Sequence, residues 1–472
     1  MRTRTVWLGV VALFALAALG YLAVRLFRGP EIKVRVAADA IFRNQTDWKE
    51  LIRRRIEAVS GLYRRNGGPT WKAVDFVPWD APVNARPMNL RSAVGLGDAD
   101  VLLAVTGLPA REGGGAVPFS NALVVSQPPG QNEQDAVRLL AHELAHLFGA
   151  GHRSEASGTL MAEPPAGEVF DPLAAGLIRD LRRHRFRGGA RGMESGDEQR
   201  VLEALARAYN KGPVKPAARA RHILGASCIR DGAPAAAVRH LREAVKIDPA
   251  FHLARADLAA ALAADHHRDE AIAELRELIR RDADGFAVHG ALAELLASRG
   301  DRREAVQHAA LAVRKNPRNP ALFLLLGRML LETPGEIEKG IAAIRQATAL
   351  APDNPVAHQA LASAESLRNR ALADADVRRK AVAVNPDDAA ARHNLAMALI
   401  RAGNTEAARG ELEQVLRLRP NFADARVNLA VLLYGQGDPA GAWREIQAAQ
   451  KLGRAVDPEF VNQVRGKISP RP

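Results

Sequence analysis

Cysteine is nearly missing: Cys228 is the only one in 472 residues. That excludes an intramolecular disulfide framework and any zinc module built on several thiolates. It leaves the compartment open, because a chain with no pair to oxidise survives on either side of a membrane. Aromatic residues are scarce at 5%. The cores must therefore rest on Ala, Leu and Val, which suits packed helices better than β-sandwiches. Neither glycine (38) nor proline (27) is enriched, so a collagen-like fibre is excluded. A basic stripe interleaved with aromatics is also missing. The formal charge is +13, but acids and bases alternate over most of the chain, as on a solvated helical surface, and nucleic-acid binding is not expected.

What remains is a globular balance, 47% hydrophobic and 25% charged, over a length that suggests roughly three domains at about 150 residues each. Thr5 to Val24 carries no charge. As a helix it would span about 30 Å, enough to cross a bilayer core. Trp7 and Tyr21 stand near its ends, where amphipathic rings favour the headgroup layer. Residues 5–24 read as a transmembrane anchor or signal segment. The small-x-small site Ala15-Leu16-Ala17 lies inside the apolar run rather than after it, which favours the anchor. Arg2 and Arg4 nearly balance Arg25 and Arg28, and the N-terminal amine tips the count towards N-inside. The chain from residue 30 onwards is then expected outside the cytoplasm. The alanine- and arginine-rich composition suggests a bacterial source with a GC-rich genome.

Residues 31–187 read as one α/β unit. Glu31 to Ala37 alternates apolar and charged residues, the period-two signature of a half-exposed strand. Asp47 is placed to cap a helix in which Leu51, Ile52, Ile56, Val59 and Leu62 recur at three- and four-residue steps. Trp71 to Trp79 alternates again. Asp100 to Thr106 is more continuously apolar and so more buried. The glycine-rich loop at Gly113-Gly114-Gly115 leads to a short run at Ala122–Val125, and a helix follows near 132–149. This order predicts one mixed sheet with helices against it.

On that helix stand His142, Glu143 and His146, followed by Gly149 and His152. Four residues turn an α-helix by about 400°, which stacks His142 and His146 on one face, where two neutral imidazoles can grip one zinc ion (Zn2+). Glu143 is rotated about 100° from His142 and can hold and deprotonate a water without ligating the metal. Gly149 stands where the chain must leave the helix, at a turn that needs positive φ. The turn returns His152 as a third nitrogen ligand. Three protein ligands with an open fourth position define a catalytic zinc site rather than a structural one.

This motif resembles that of the metzincin zinc endopeptidases, most closely matrixin-like and reprolysin-like members. Met161, nine residues beyond His152, is similar to the methionine of that clan's turn beneath the metal. The resemblance implies peptide-bond hydrolysis with Glu143 as general base. It also implies an extended substrate paired with an edge strand, for which Ala122, Leu123, Val124 and Val125, or the segment just before them, are the candidates. The chain departs from part of the clan's pattern. Glu163 stands two residues after Met161, where a fifth, tyrosine ligand would stand, and the lone cysteine lies after the site, so a cysteine switch is not available.

Residues 215–456 repeat. Pro249, Ala283, Pro317, Pro352, Pro386 and Pro420 follow one another at steps of 34, 34, 35, 34 and 34. Leu224, Leu258, Leu292, Leu326, Leu361, Leu395 and Leu429 recur at one offset, each followed by Gly or Ala. Small residues recur further on at Ala237, Ala271, Ala305, Gly340, Ala408 and Ala442. This resembles the tetratricopeptide repeat in seven units, the fifth irregular because Asp374 replaces a small residue. Residues 188–214 read as a linker and leading helix, and 457–472 as a capping helix and tail. Such arrays present a groove for extended peptides or a partner's helix.

The expected fold is thus multidomain: an N-terminal transmembrane helix, an α/β mixed-sheet, metzincin-like protease domain over 31–187, and an all-α tetratricopeptide solenoid. The expected function is a membrane-tethered zinc endopeptidase whose array recruits a protein substrate or partner. One alternative is a catalytically silent repeat scaffold. The other is a periplasmic peptidase-chaperone of a different zinc protease clan, which would take its third ligand from a carboxylate on a later helix.

Overall fold

The computed structural model describes residues 30–468 apart from 81–89, 91–92, 109–113, 153–158, 164, 166 and 185. The expectation of an anchor or signal at 5–24 lies outside them. Among the described residues no helix is long and apolar enough to cross a membrane. The chain divides into two compact units between Glu274 and Leu275.

The first unit opens with a five-stranded sheet of order β2-β1-β3-β5-β4. Its strands are β1 (Glu31–Ala38), β2 (Thr70–Pro78), β3 (Val101–Thr106), β4 (Gly114–Ala116) and β5 (Ala122–Ser126). All run parallel except β4, which is antiparallel to β5. β3 and β5 are buried along their whole length, as continuous apolar strands inside a parallel sheet must be. This corrects one expectation. Ala122, Leu123, Val124 and Val125 do not form the edge, because β5 is paired with β3 on one side and β4 on the other. The edge falls to Gly114–Ala116, in the segment just before them, part of which was expected to be a glycine-rich loop.

A single helical turn, α1 (Ala40–Arg43), follows β1 and is capped by Asp39, whose carboxylate accepts from the Phe42 amide at 2.7 Å. Next comes α2 (Trp48–Arg65). Asp47 does precede α2 but does not cap it through its side chain: its backbone is left-handed at φ 51°. The helix is held instead by its apolar face. Tyr63 is fully buried, meets Trp71 and Phe170 edge-on, and donates its hydroxyl to the carbonyl of Ala141 at 3.0 Å. That bond seats α2 on α3 (Glu133–His146), whose first turn is capped by Asn132. Arg55, also buried, reaches from α2 to Glu133 and to the Gln127 amide. Two short helices, α4 (Pro172–Asp180) and α5 (Ser195–Ala208), complete this part, and α5 buries Val201, Leu202, Ala204 and Leu205.

Antiparallel helix pairs then succeed one another. The first unit holds α6 (Pro216–Arg230) with α7 (Pro234–Ile247), then α8 (His252–Ala264); α9 (Arg268–Arg280) crosses the division. The second unit holds α10 (Phe286–Arg299) with α11 (Arg302–Lys315), and α12 (Pro320–Leu331) with α13 (Ile337–Leu350). After the long α14 (Pro355–Val384) come α15 (Ala389–Arg401) with α16 (Thr405–Leu418), and α17 (Ala423–Gly435) with α18 (Pro439–Lys451). The last helix, α19 (Pro458–Ile468), buries Phe460 and Val464 as a cap. Small residues mark the crossings: a Cβ on Gly225 would stand 2.6 Å from Leu241, and one on Gly327 2.5 Å from Ile344.

The irregular fifth unit is a single helix of 30 residues rather than a pair. Eight residues after the recurring leucine, five of the other units place a positive-φ residue that ends the first helix, namely Gly232, His266, Gly300, Gly403 and Gly437, and the fourth places Gly335 nine residues on. The fifth unit has Asn369 there, followed by Arg370, Ala371 and Leu372, and the helix runs on. Arg370, Ala371 and Leu372 are residues that lose little on entering a helix.

Candidate metal centre

The helix α3 ends at His146, and the chain turns through Leu147 and Phe148 to Gly149 at φ 81°. The Gly149 amide donates to the His146 carbonyl at 2.8 Å. A side chain would not fit at this position, since a Cβ would meet the Phe119 ring at 2.9 Å and Leu205 at 3.2 Å. The turn brings His152 back over the helix. Its Nε2 lies 2.9 Å from Nε2 of His146, which in turn lies 3.1 Å from Nε2 of His142.

Each ring has its other nitrogen engaged. His142 Nδ1 donates to the Leu160 carbonyl and His146 Nδ1 to the Ala150 carbonyl, both at 2.7 Å. His152 Nδ1 lies 2.9 Å from the Glu163 carboxylate. With the proton on Nδ1, all three Nε2 atoms present lone pairs to one point. Burial lowers the pKa of His142 and pushes that of His146 down to about 4, with the His142, His152 and Arg230 charges adding to the effect on His146. Neutral rings result. Facing lone pairs about 3 Å apart repel each other unless a cation lies among them. A tetrahedral zinc ion with bonds of about 2.0–2.1 Å sets its nitrogens about 3.3 Å apart. The donor set and its spacing fit such an ion. Among the described residues no other group of three histidine, cysteine or carboxylate ligands converges in this way.

Glu143 is 4% exposed, one position along α3 from His142. Met161 is fully buried and directly follows Leu160, whose carbonyl holds His142. So His142, His146 and His152 come together across the turn at Gly149, Glu143 and Met161 are buried next in sequence to His142 and Leu160, and Ala122–Val125 lie inside the sheet.

Three contributors were not foreseen. Glu163 was noted only as the residue replacing a tyrosine, yet it is the partner of His152. Phe119, left-handed at φ 59°, donates its amide to Leu147 and packs on Gly149. Tyr209, just after α5, donates its hydroxyl to the Gly149 carbonyl at 2.7 Å. The segment expected to be a linker therefore braces the site, and the first helix pair reaches it too, with Ser120 Oγ 3.3 Å from the Asp231 carboxylate.

Family profiles described as tetratricopeptide repeat match residues 229–295, 291–355 and 393–455. They skip 356–392, where α14 runs uninterrupted. None of the curated proteins matches the chain. Among solved structures, a tetratricopeptide repeat protein from Parabacteroides merdae is 14% identical and covers 52% of this chain and 95% of its own, with a TM-score of 0.29. YrrB, a tetratricopeptide repeat protein with an unusual peptide-binding site, is 16% identical over 48% of this chain and 97% of its own, with a TM-score of 0.22. A thermophilic repeat protein from Thermus thermophilus is 21% identical over 46% and 99%, at 0.26. The helix pairs within residues 229–355 and 393–455 are tetratricopeptide repeats.

Proposed function

We propose that this chain is a protein-interaction scaffold of tetratricopeptide repeats that carries a zinc site competent for peptide-bond hydrolysis. The observation that carries the hydrolytic part is the convergence of three imidazoles, with the buried Glu143 one residue along the helix from the first. His142, His146 and His152 would hold the ion. A bound zinc supplies Lewis acidity, which polarises a scissile carbonyl and acidifies water. The Glu143 carboxylate takes the proton of the attacking water and returns it to the leaving amine nitrogen. Gly114–Ala116, at the sheet edge, offers backbone groups for an extended peptide. The repeats recruit the substrate or a partner protein. Attachment through residues 5–24, with the remainder outside the cytoplasm, completes the reading.

A second reading, the catalytically silent scaffold, is favoured by the family matches falling on the repeats alone. One experiment separates the two. The full chain is assayed for zinc content and for cleavage of a peptide library, as wild type, Glu143→Gln and His152→Ala. Hydrolysis should fall by about 10²–10⁴-fold in Glu143→Gln with zinc retained. A zinc-loaded wild type that cleaves nothing establishes the scaffold. A His152→Ala protein with undiminished zinc points to the other protease clan.

A further inference from the structure

The three ligands are not held alike. The partners of His142 and His146 are main-chain carbonyls of Leu160 and Ala150, which the fold itself fixes. His152 is different: it stands beyond the helix on a turn, its side chain is 49% exposed, and its Nδ1 partner is the side-chain carboxylate of Glu163. An imidazole on a turn can rotate about two side-chain bonds and can carry its proton on either nitrogen. Only an acceptor at Nδ1 keeps the proton there and leaves the Nε2 lone pair aimed at the point shared with His146. The carboxylate also adds negative charge behind the ring, which makes the imidazole a stronger donor. Glu163 reaches this place because Met161 and its neighbours are anchored: Leu160 is tied to His142 by its carbonyl and to Val169 by its amide at 2.9 Å. The carboxylate thus hangs from an anchored segment and meets a half-exposed ring on a turn.

We infer that Glu163 is the positioning residue of the metal centre, holding His152 in the tautomer and orientation that complete the ligand set. The inference rests on the zinc reading above. Because both side chains are exposed, the contribution of this contact to folding is small, and its effect falls on metal affinity.

The test measures zinc affinity by competition with a chromogenic chelator on the full chain. Glu163→Ala should bind zinc about 10–100-fold more weakly, with the thermal midpoint of the metal-free protein unchanged. Glu163→Gln, whose amide oxygen still accepts from Nδ1, should recover part of the loss. In a His152→Ala background, Glu163→Ala should cost nothing further, since there is no ring left to position. Wild-type affinity in Glu163→Ala overturns the inference, as does an equal loss in the His152→Ala background. A wild-type chain that takes up no zinc instead removes the parent reading.

Discussion

The hydroxyl of Tyr209 donates to the carbonyl of Gly149 at 2.7 Å, joining the segment that leads into the repeats to the turn between His146 and His152. A ligand set spread over a helix and a turn is only as well formed as that turn. Tyr209→Phe removes the half-buried hydrogen bond to Gly149, a loss of about 1 kcal/mol. If this bond supports the turn, zinc affinity should drop by about fivefold, as read by chelator competition. An affinity equal to wild type would mean that Tyr209 merely lies alongside.

Gly149 itself is the more severe test. At φ 81° an L-residue costs about 1–2 kcal/mol, and the added Cβ would press on Phe119 at 2.9 Å. Gly149→Ala should therefore lower the thermal midpoint of the metal-free chain and weaken zinc binding together. A variant that loses neither would show that the turn relaxes without moving His152.

How much of this was legible before folding depends on how local each signal is. His142, His146, Gly149 and His152 fall within eleven residues, so helix geometry and one glycine suffice to bring them together. The repeats were legible because one spacing recurs, and their profile matches bear that out. Non-local features were not. Which strand forms the sheet edge depends on pairing order, and Ala122–Val125 lie inside because β4 adds outside them. Glu163 could be read only as a missing tyrosine, since its contact with His152 requires the turn at Leu160–Met161. Tyr209 lies beyond the expected domain boundary. The lost turn of the fifth unit was half visible: Asp374 marked the irregularity, but not that the helix formers Arg370, Ala371 and Leu372 carry the helix on through it.

Acid should unfold the metal-free chain through His184. This ring is buried against Phe119 and Phe186, and burial pushes its pKa down to about 4, against the pull of Asp197 and with the help of Arg200. Unfolded, it would titrate near 6.5. Between those values the unfolded chain binds the extra proton, so the contribution is complete above pH 6.5 and is lost as pH falls towards 4. The loss is on the order of 2–3 kcal/mol. His184→Phe should lessen the fall of the thermal midpoint between pH 6.5 and 4.5, leaving the shares of His146 and His240, which burial also pushes down to about 4. A slope as steep as in wild type would assign the acid sensitivity to other groups.

Two glycines in the repeats should respond in opposite directions to the same change. In α12, Gly327 lies where that helix crosses α13: a Cβ would stand 2.5 Å from Ile344 and 3.1 Å from the Gly340 carbonyl, which cannot move aside. Forcing a methyl group into such a crossing costs about 1–3 kcal/mol, more than the helix propensity it gains. In α16, Gly410 is exposed and has nothing within 4 Å of its virtual Cβ. Gly410→Ala there should stabilise by about 0.5–1 kcal/mol, through the entropy that glycine loses on entering a helix. Midpoints of urea unfolding followed by helical circular dichroism give both signs directly. If Gly327→Ala also stabilises, the close crossing of α12 and α13 is not what the small residues at this repeat position provide.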